Sequence, residues 1–282
     1  MAEMSFRDPL GEPVQFDIQD GRLARVTCER WIVPKFDVGE DTLLCLAFGD
    51  LHGRIREALS LAKSVRRTLG VPLHGYLQVG DLGAFDEQSV LDKTTQRLAR
   101  KDPVILGFKA IREMDLDRLD ELLSAGQTFV PRFLFVEGNH DDLEYLRERY
   151  RLESLSYSLI FVESGYTAEV SSGHLDLTVG GLGWSCERVD FRRLAAEQSQ
   201  VVLAHAIEQL KAWSDFFREE GALCLFGHAF QAYRMSQPKQ NWFGLEHFDV
   251  DRTGAVREGS WGLVLASPER VEFTYLPASL DM

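Results

Sequence analysis

At 282 residues with 45% hydrophobic side chains, the chain can bury a sizeable core, and its length suits one α/β domain. No stretch approaches the ~18 consecutive apolar residues of a membrane span, and the opening MAEMSFRDPLGEP lacks the apolar centre of a secretory signal. The net charge of −13 excludes broad binding of a phosphate backbone through a basic face. It leaves room for a small phosphorylated ligand, because bound cations reverse the local sign.

Residues 14–33 read as a hairpin turning on Asp20-Gly21, a strong two-residue turn signal. A connector over 34–41 leads to the apolar run 43–48, which reads as a buried parallel strand. The strand empties into Gly49-Asp50-Leu51-His52-Gly53-Arg54. Residues 55–69 have helical spacing and stop at Gly70 and Pro72, so strand and helix open a βαβ unit. A second short run, LQVGDLG, ends in Gly80-Asp81. The insertion 84–132 predicts two helices, about 87–100 and 109–125, parted by Asp102-Pro103 and Gly107. It reads first as an extended crossover between parallel strands, with a substrate-side cap as the alternative.

The run FLFV then leads to Glu137 and Gly138-Asn139-His140-Asp141, followed by a charged helix over 142–151. Short strands fill 157–183, turning at Ser164-Gly165 and Ser172-Gly173, and the last of them ends in GGLGW at Trp184. VVLA ends at His205, a helix spans 208–220, and LCLFG ends at His228. The tail, 243–276, predicts antiparallel strands turning at 252–254 and 267–269. The whole predicts two packed sheets with helices outside. Cys28, Cys45, Cys186 and Cys224 form no CxxC pair. Cys45 and Cys224 sit inside apolar strands as small core residues, and a reduced, cytoplasmic protein is the expectation. Cys186 is assigned no chemistry.

Asp50 and His52 stand two apart at a strand end, so both can reach one ion. Alone, the pair reads equally well as a turn aspartate beside an unrelated histidine. Five apolar runs each ending in a metal-ligand residue type is a pattern chance rarely makes, and chemistry in such sheets sits at the carboxyl ends of strands. Oxygen and imidazole donors suit Mn, with Fe or Zn as alternatives, over Ca.

In their order, GDLH, GDLG, GNHD, a lone His after a strand and a final GH resemble the calcineurin-like metallophosphoesterase superfamily. The likeness covers Gly49 to His228, and GDLHG looks closest to the serine/threonine phosphatase and dinucleoside-tetraphosphatase branches. The resemblance implies a four-layer αββα sandwich of two mixed sheets flanked by helices. It implies two divalent metal ions, one held by Asp50, His52 and Asp81, the other by Asp81, Asn139, His205 and His228, with Asp81 bridging. It also implies that His140 acts on the substrate rather than as a ligand. Its alternative is a hydrogen-bonded turn residue. Arg54 is either a bidentate phosphate ligand or a solvated helix-start arginine. Trp184 reads first as a core ring, with stacking on a base as the alternative. His74, His174 and His247 lack a motif and read as ordinary strand or turn residues.

Two positions depart from the family pattern. Where many members carry a second histidine after GH, this chain has Phe230, which cannot ligate and predicts unequal metal sites, with Asp86 or Glu246 as replacements. Where members carry an acid that orients the catalytic histidine, this chain has Ala84, with Asp86 as a substitute. The arginine that follows that acid in protein phosphatases is also missing. The expected function is hydrolysis of a small phosphorylated molecule such as a nucleotide, with no membrane or nucleic-acid partner. The alternatives are a scaffold that keeps the fold without the chemistry, and a nuclease acting through a local basic groove near 54–67.

Overall fold

A computed structural model of the chain describes residues 2–87, 89–91, 93–150, 158–214, 222–237, 240–251 and 255–279. Two six-stranded mixed sheets form its centre. The first sheet has the order Val271–Tyr275, Trp261–Ala266, Leu43–Phe48, Gly75–Gln78, Arg132–Phe135, Leu159–Phe161. Its last four strands are mutually parallel, and Trp261–Ala266 runs antiparallel to Leu43–Phe48. The second sheet has the order Tyr233–Gln237, Gln240–Glu246, Leu223–Ala229, Val201–Ala204, Asp176–Leu182, Thr167–Ser171, with parallel pairing among its middle four.

The strand Leu43–Phe48 shows why an unbroken apolar run was needed. Leu43, Cys45 and Ala47 face the core between the two sheets, with Leu77, Val79, Leu203 and Leu225. Leu44, Leu46 and Phe48 face the opposite way, onto helix residues Ile55, Leu59 and Val65. A strand covered on both faces has no polar side to alternate with. Behind the second sheet, Phe191, Leu194, Leu210 and Trp213 from the helices Arg188–Ala196 and Ile207–Ser214 close a third core. The layers are therefore helix, sheet, sheet, helix, as expected.

The predicted hairpin exists, as Pro13–Gln19 and Arg22–Cys28, with Asp20 and Gly21 both at positive φ. It is flanked by Ala2–Arg7 and Lys35–Asp37, so the N-terminal unit is a four-stranded sheet rather than a lone hairpin. Its inner side, with Val14, Phe16, Val26 and Phe36, joins the core on the outer face of the first sheet.

The βαβ opening matches, with the helix Ile55–Leu69 ending on a left-handed Gly70. The insertion departs from expectation. The first predicted helix shortens to Lys93–Ala99, because Asp86 holds the preceding chain in a turn by accepting from the Ser89 N–H. The second breaks into Phe108–Arg112 and Leu116–Ser124, because Asp115 leaves helical geometry to cap Arg118. Phe108, Ile111, Leu119 and Leu123 are buried on the outer face of the first sheet. The tail also divides: Gln240–Glu246 runs parallel to Leu223–Ala229 in the second sheet, whereas Trp261–Ala266 and Val271–Tyr275 belong to the first. The predicted turn at 252–254, the helical residues 215–220 and residues 151 and 157 lie outside the described residues. No helix among the described residues is long and apolar enough to cross a membrane.

Candidate metal centre

The parallel strands of the two sheets end on one side of the sandwich, and the loops that follow them carry the candidate residues. Asp50 and His52 follow Leu43–Phe48; Asp81 follows Gly75–Gln78; Asn139 and His140 follow Arg132–Phe135. His205 follows Val201–Ala204 in the second sheet, and His228 is the next-to-last residue of the strand Leu223–Ala229. Two groups of ligand atoms result, Asp50–His52–Asp81 and Asp81–His205–His228, each with atoms within 4.8 Å of one another. Asp81 belongs to both. Asn139 joins the second through its Oδ1, which lies 2.8 Å from His205 Nε2.

The backbone is bent to make this convergence. Among the described residues six non-glycines have positive φ, and three of them are His52, Asp81 and His228. Each such residue costs about 1 kcal/mol, and such strain collects at functional sites. Gly80 sits at φ +105°, where a side chain would strike the His205 ring. Gly138 is equally constrained, since a Cβ there would meet the Asp81 carboxylate.

Neighbouring polar groups hold the loops. Asp141 accepts from the backbone N–H groups of Leu82 (3.1 Å), Gly83 (2.8 Å), Ala84 (2.8 Å) and Gly138 (2.8 Å), tying the Asp81 loop to the Asn139 loop. Gln78, fully buried, donates to the carbonyls of Gly49 (3.3 Å) and Gly80 and accepts from the Gly80 N–H (3.1 Å). The backbone N–H of His228 donates to both oxygens of Asp50, at 3.1 and 3.3 Å. The N–H of His140 donates to Asp81 Oδ1 at 2.7 Å.

The electrostatics suit cations. Burial, reinforced by the Asp81 charge, holds the Asp50 carboxyl well above its usual range. Burial lowers the imidazoles of His52 and His205 to about 3, so at neutral pH both are uncharged and keep a lone pair for coordination. His205 is fully buried, and its Nδ1 lies 3.1 Å from the Val79 carbonyl, which directs Nε2 to the centre. Crowded buried carboxylates beside neutral imidazoles are a donor set that divalent cations fit.

Several sequence expectations meet other geometry. Arg54 is 19% exposed, and its guanidinium is taken up by Asp102, Glu57 (3.5 Å) and Asp249 (3.5 Å). Asp86 bonds Ser89, and Glu246 accepts from the Ala232 N–H (3.0 Å) and pairs with Arg257 (3.5 Å), so both proposed replacements for the missing ligand have other partners. His247, read as ordinary, instead lies against His52 with ring centroids 4.6 Å apart. It arrives there because the next N–H, of Phe248, donates to the Asp50 carbonyl at 3.0 Å. His140 has Thr95 Oγ1 3.2 Å from its Nδ1, a residue on the helix Lys93–Ala99 that sequence reasoning missed. Trp184 is not a core ring: it is 49% exposed, with its centroid 5.8 Å from those of both His205 and His228. Among the supporting residues, Asp141 had a signal in the sequence, as the last residue of GNHD.

No protein-family model matches the chain, and no curated protein matches it. Among solved structures it is similar to a conserved uncharacterized protein, a predicted phosphoesterase, from Streptococcus pneumoniae TIGR4, at 13% identity and TM-score 0.34, covering 83% of this chain and 98% of that one. It is similar to a phosphatase from Mycoplasma pneumoniae at 8% identity and TM-score 0.44, covering 84% and 94%. It is also similar to Vps29 complexed with zinc from Entamoeba histolytica at 10% identity and TM-score 0.27, covering 84% and 100%.

Proposed function

We propose that the chain is a metal-dependent phosphoesterase that uses two divalent cations to hydrolyse a small phosphorylated molecule. The observation that carries this is the shared carboxylate: Asp81 belongs to both ligand groups, as a bridge between two ions requires. Asp50, His52 and Asp81 would hold one ion, and Asp81, Asn139, His205 and His228 the other. Manganese suits the mixed oxygen and imidazole donors, as do iron and zinc. Such ions supply water activation near neutral pH and charge neutralisation on the phosphoryl oxygens.

The chain's own groups do the rest. His140 stands beside the centre, its ring centroid 5.8 Å from that of His52. With Nδ1 engaged by Thr95, the proton that His140 passes to the leaving oxygen resides on Nε2. The backbone bond from His140 to Asp81 fixes the distance between this acid and the bridge. Purified protein should hydrolyse p-nitrophenyl phosphate, lose the activity to a chelator and regain it with Mn²⁺. Full activity after exhaustive metal removal would refute the reading.

A further inference from the structure

We propose that Trp184 and Phe230 form a stacking platform for a nucleobase, so that the substrates of this centre are nucleoside phosphates. The inference rests on the phosphoesterase reading above and specifies its substrate class. Trp184 follows the strand Asp176–Leu182, and its backbone is pinned on both sides. Its N–H donates to the Glu137 carbonyl at 3.0 Å, and its carbonyl accepts from Gln209 Nε2 at 3.5 Å. The next residue, Ser185, donates from Oγ (2.6 Å) and from its N–H (3.3 Å) to the buried Glu137 carboxylate. A tryptophan on so fixed a frame would ordinarily be covered. Here half of its surface stays open, and the ring stands edge-on to His205 at 75° and tilted 40° to His228.

Phe230 is 96% exposed, with its centroid 6.2 Å from that of His228. Leaving a phenyl ring in water forgoes the ~1.5–3 kcal/mol that burying it would contribute. Where the family resemblance leads one to expect a metal-ligating imidazole, the chain therefore carries an uncovered aromatic face beside the centre. Both rings flank the same histidine, so a phosphoryl group bound at the centre brings the group attached to it to the rings. Two aromatic faces recognise a flat π-system, and every nucleobase offers one. The charge of −13 argues for a mononucleotide-sized ligand over a nucleic-acid strand.

The test compares kcat/KM for adenosine 5′-monophosphate and for ribose 5-phosphate, which share the phosphoryl end and differ by the base. The natural protein should prefer the nucleotide. Trp184→Ala and Phe230→Ala should each shrink the preference ratio about 5- to 150-fold, the equivalent of ~1–3 kcal/mol per stacked base, and Trp184→Tyr should restore most of it. Independently of turnover, adenosine added to chelator-treated protein should quench tryptophan fluorescence, and Trp184→Ala should abolish the quenching. Equal kcat/KM for the two substrates, or a ratio unmoved by both alanine variants, overturns the platform while leaving the phosphoesterase standing. Preference for p-nitrophenyl phosphate over every nucleotide, lost in the same variants, would assign the platform to aryl esters instead and refute the nucleobase. If no phosphate ester is hydrolysed, the phosphoesterase reading fails, and adenosine quenching alone then decides the platform.

Discussion

Replacing Asp81 by Asn should move stability and metal binding in opposite directions. In metal-free protein, Asp50 and Asp81 place two buried carboxylates with ligand atoms within 4.8 Å of one another. At an effective dielectric near 20, that separation corresponds to ~3 kcal/mol of repulsion when both are charged. Asn removes this charge yet keeps the Oδ1 that accepts from the His140 N–H. Because Asp50 already holds its proton more tightly than usual, part of the repulsion is relieved before the substitution, and the gain should be ~1–3 kcal/mol. In a chain of this size that raises the midpoint of thermal unfolding by about 2–6 °C in the presence of chelator. The sign with pH follows from Asp50, whose folded-state pKa is raised by burial first and by Asp81 second. A raised carboxyl destabilises the fold above that pKa and costs nothing below the unfolded range. The advantage of Asp81→Asn should therefore be largest near pH 8 and fade as pH falls through the Asp50 transition. With Mn²⁺ present the order should reverse, since the natural protein gains ligand-linked stability and the variant binds well under two ions per chain. Differential scanning calorimetry with and without metal, paired with elemental analysis, makes the measurement. A variant that melts lower than the natural protein in chelator, or that retains two ions, would refute the charge-crowded, bridging role of Asp81.

His140→Ala should keep its metals and lose about 10²–10⁴ in kcat, with a smaller loss on esters with good leaving groups. Thr95→Val should lower kcat by about tenfold, one hydrogen bond's worth, and Thr95→Ser, which keeps the hydroxyl beside His140 Nδ1, should restore most of it. Calorimetric titration of metal-free protein should show two unequal steps, and Phe230→His should tighten the weaker. Two steps of equal affinity in the natural protein would point to another residue, with His247 the first to substitute.

Much of the fold was legible because its signals are local. The six apolar residues of Leu43–Phe48, the Asp20-Gly21 turn and the Gly70 stop each act on neighbours in sequence, through burial of both strand faces and through backbone sterics. The candidate ligands were legible for the same reason: parallel strands deliver whatever follows them to one edge of the sheet, so a residue type at a strand end implies a place in space. One miss was local: Asp115 broke a helix that its surroundings favoured, because its own side chain capped the next one, three residues on. What else escaped was set by contacts between segments far apart in the chain. Thr95 reached His140, and His247 reached His52, across separations of 45 and 195 residues that no spacing rule encodes. The exposure of Trp184 and Phe230 was likewise undecided in sequence, since a ring's hydrophobicity favours burial everywhere and only the packed layers determine whether anything is there to cover it.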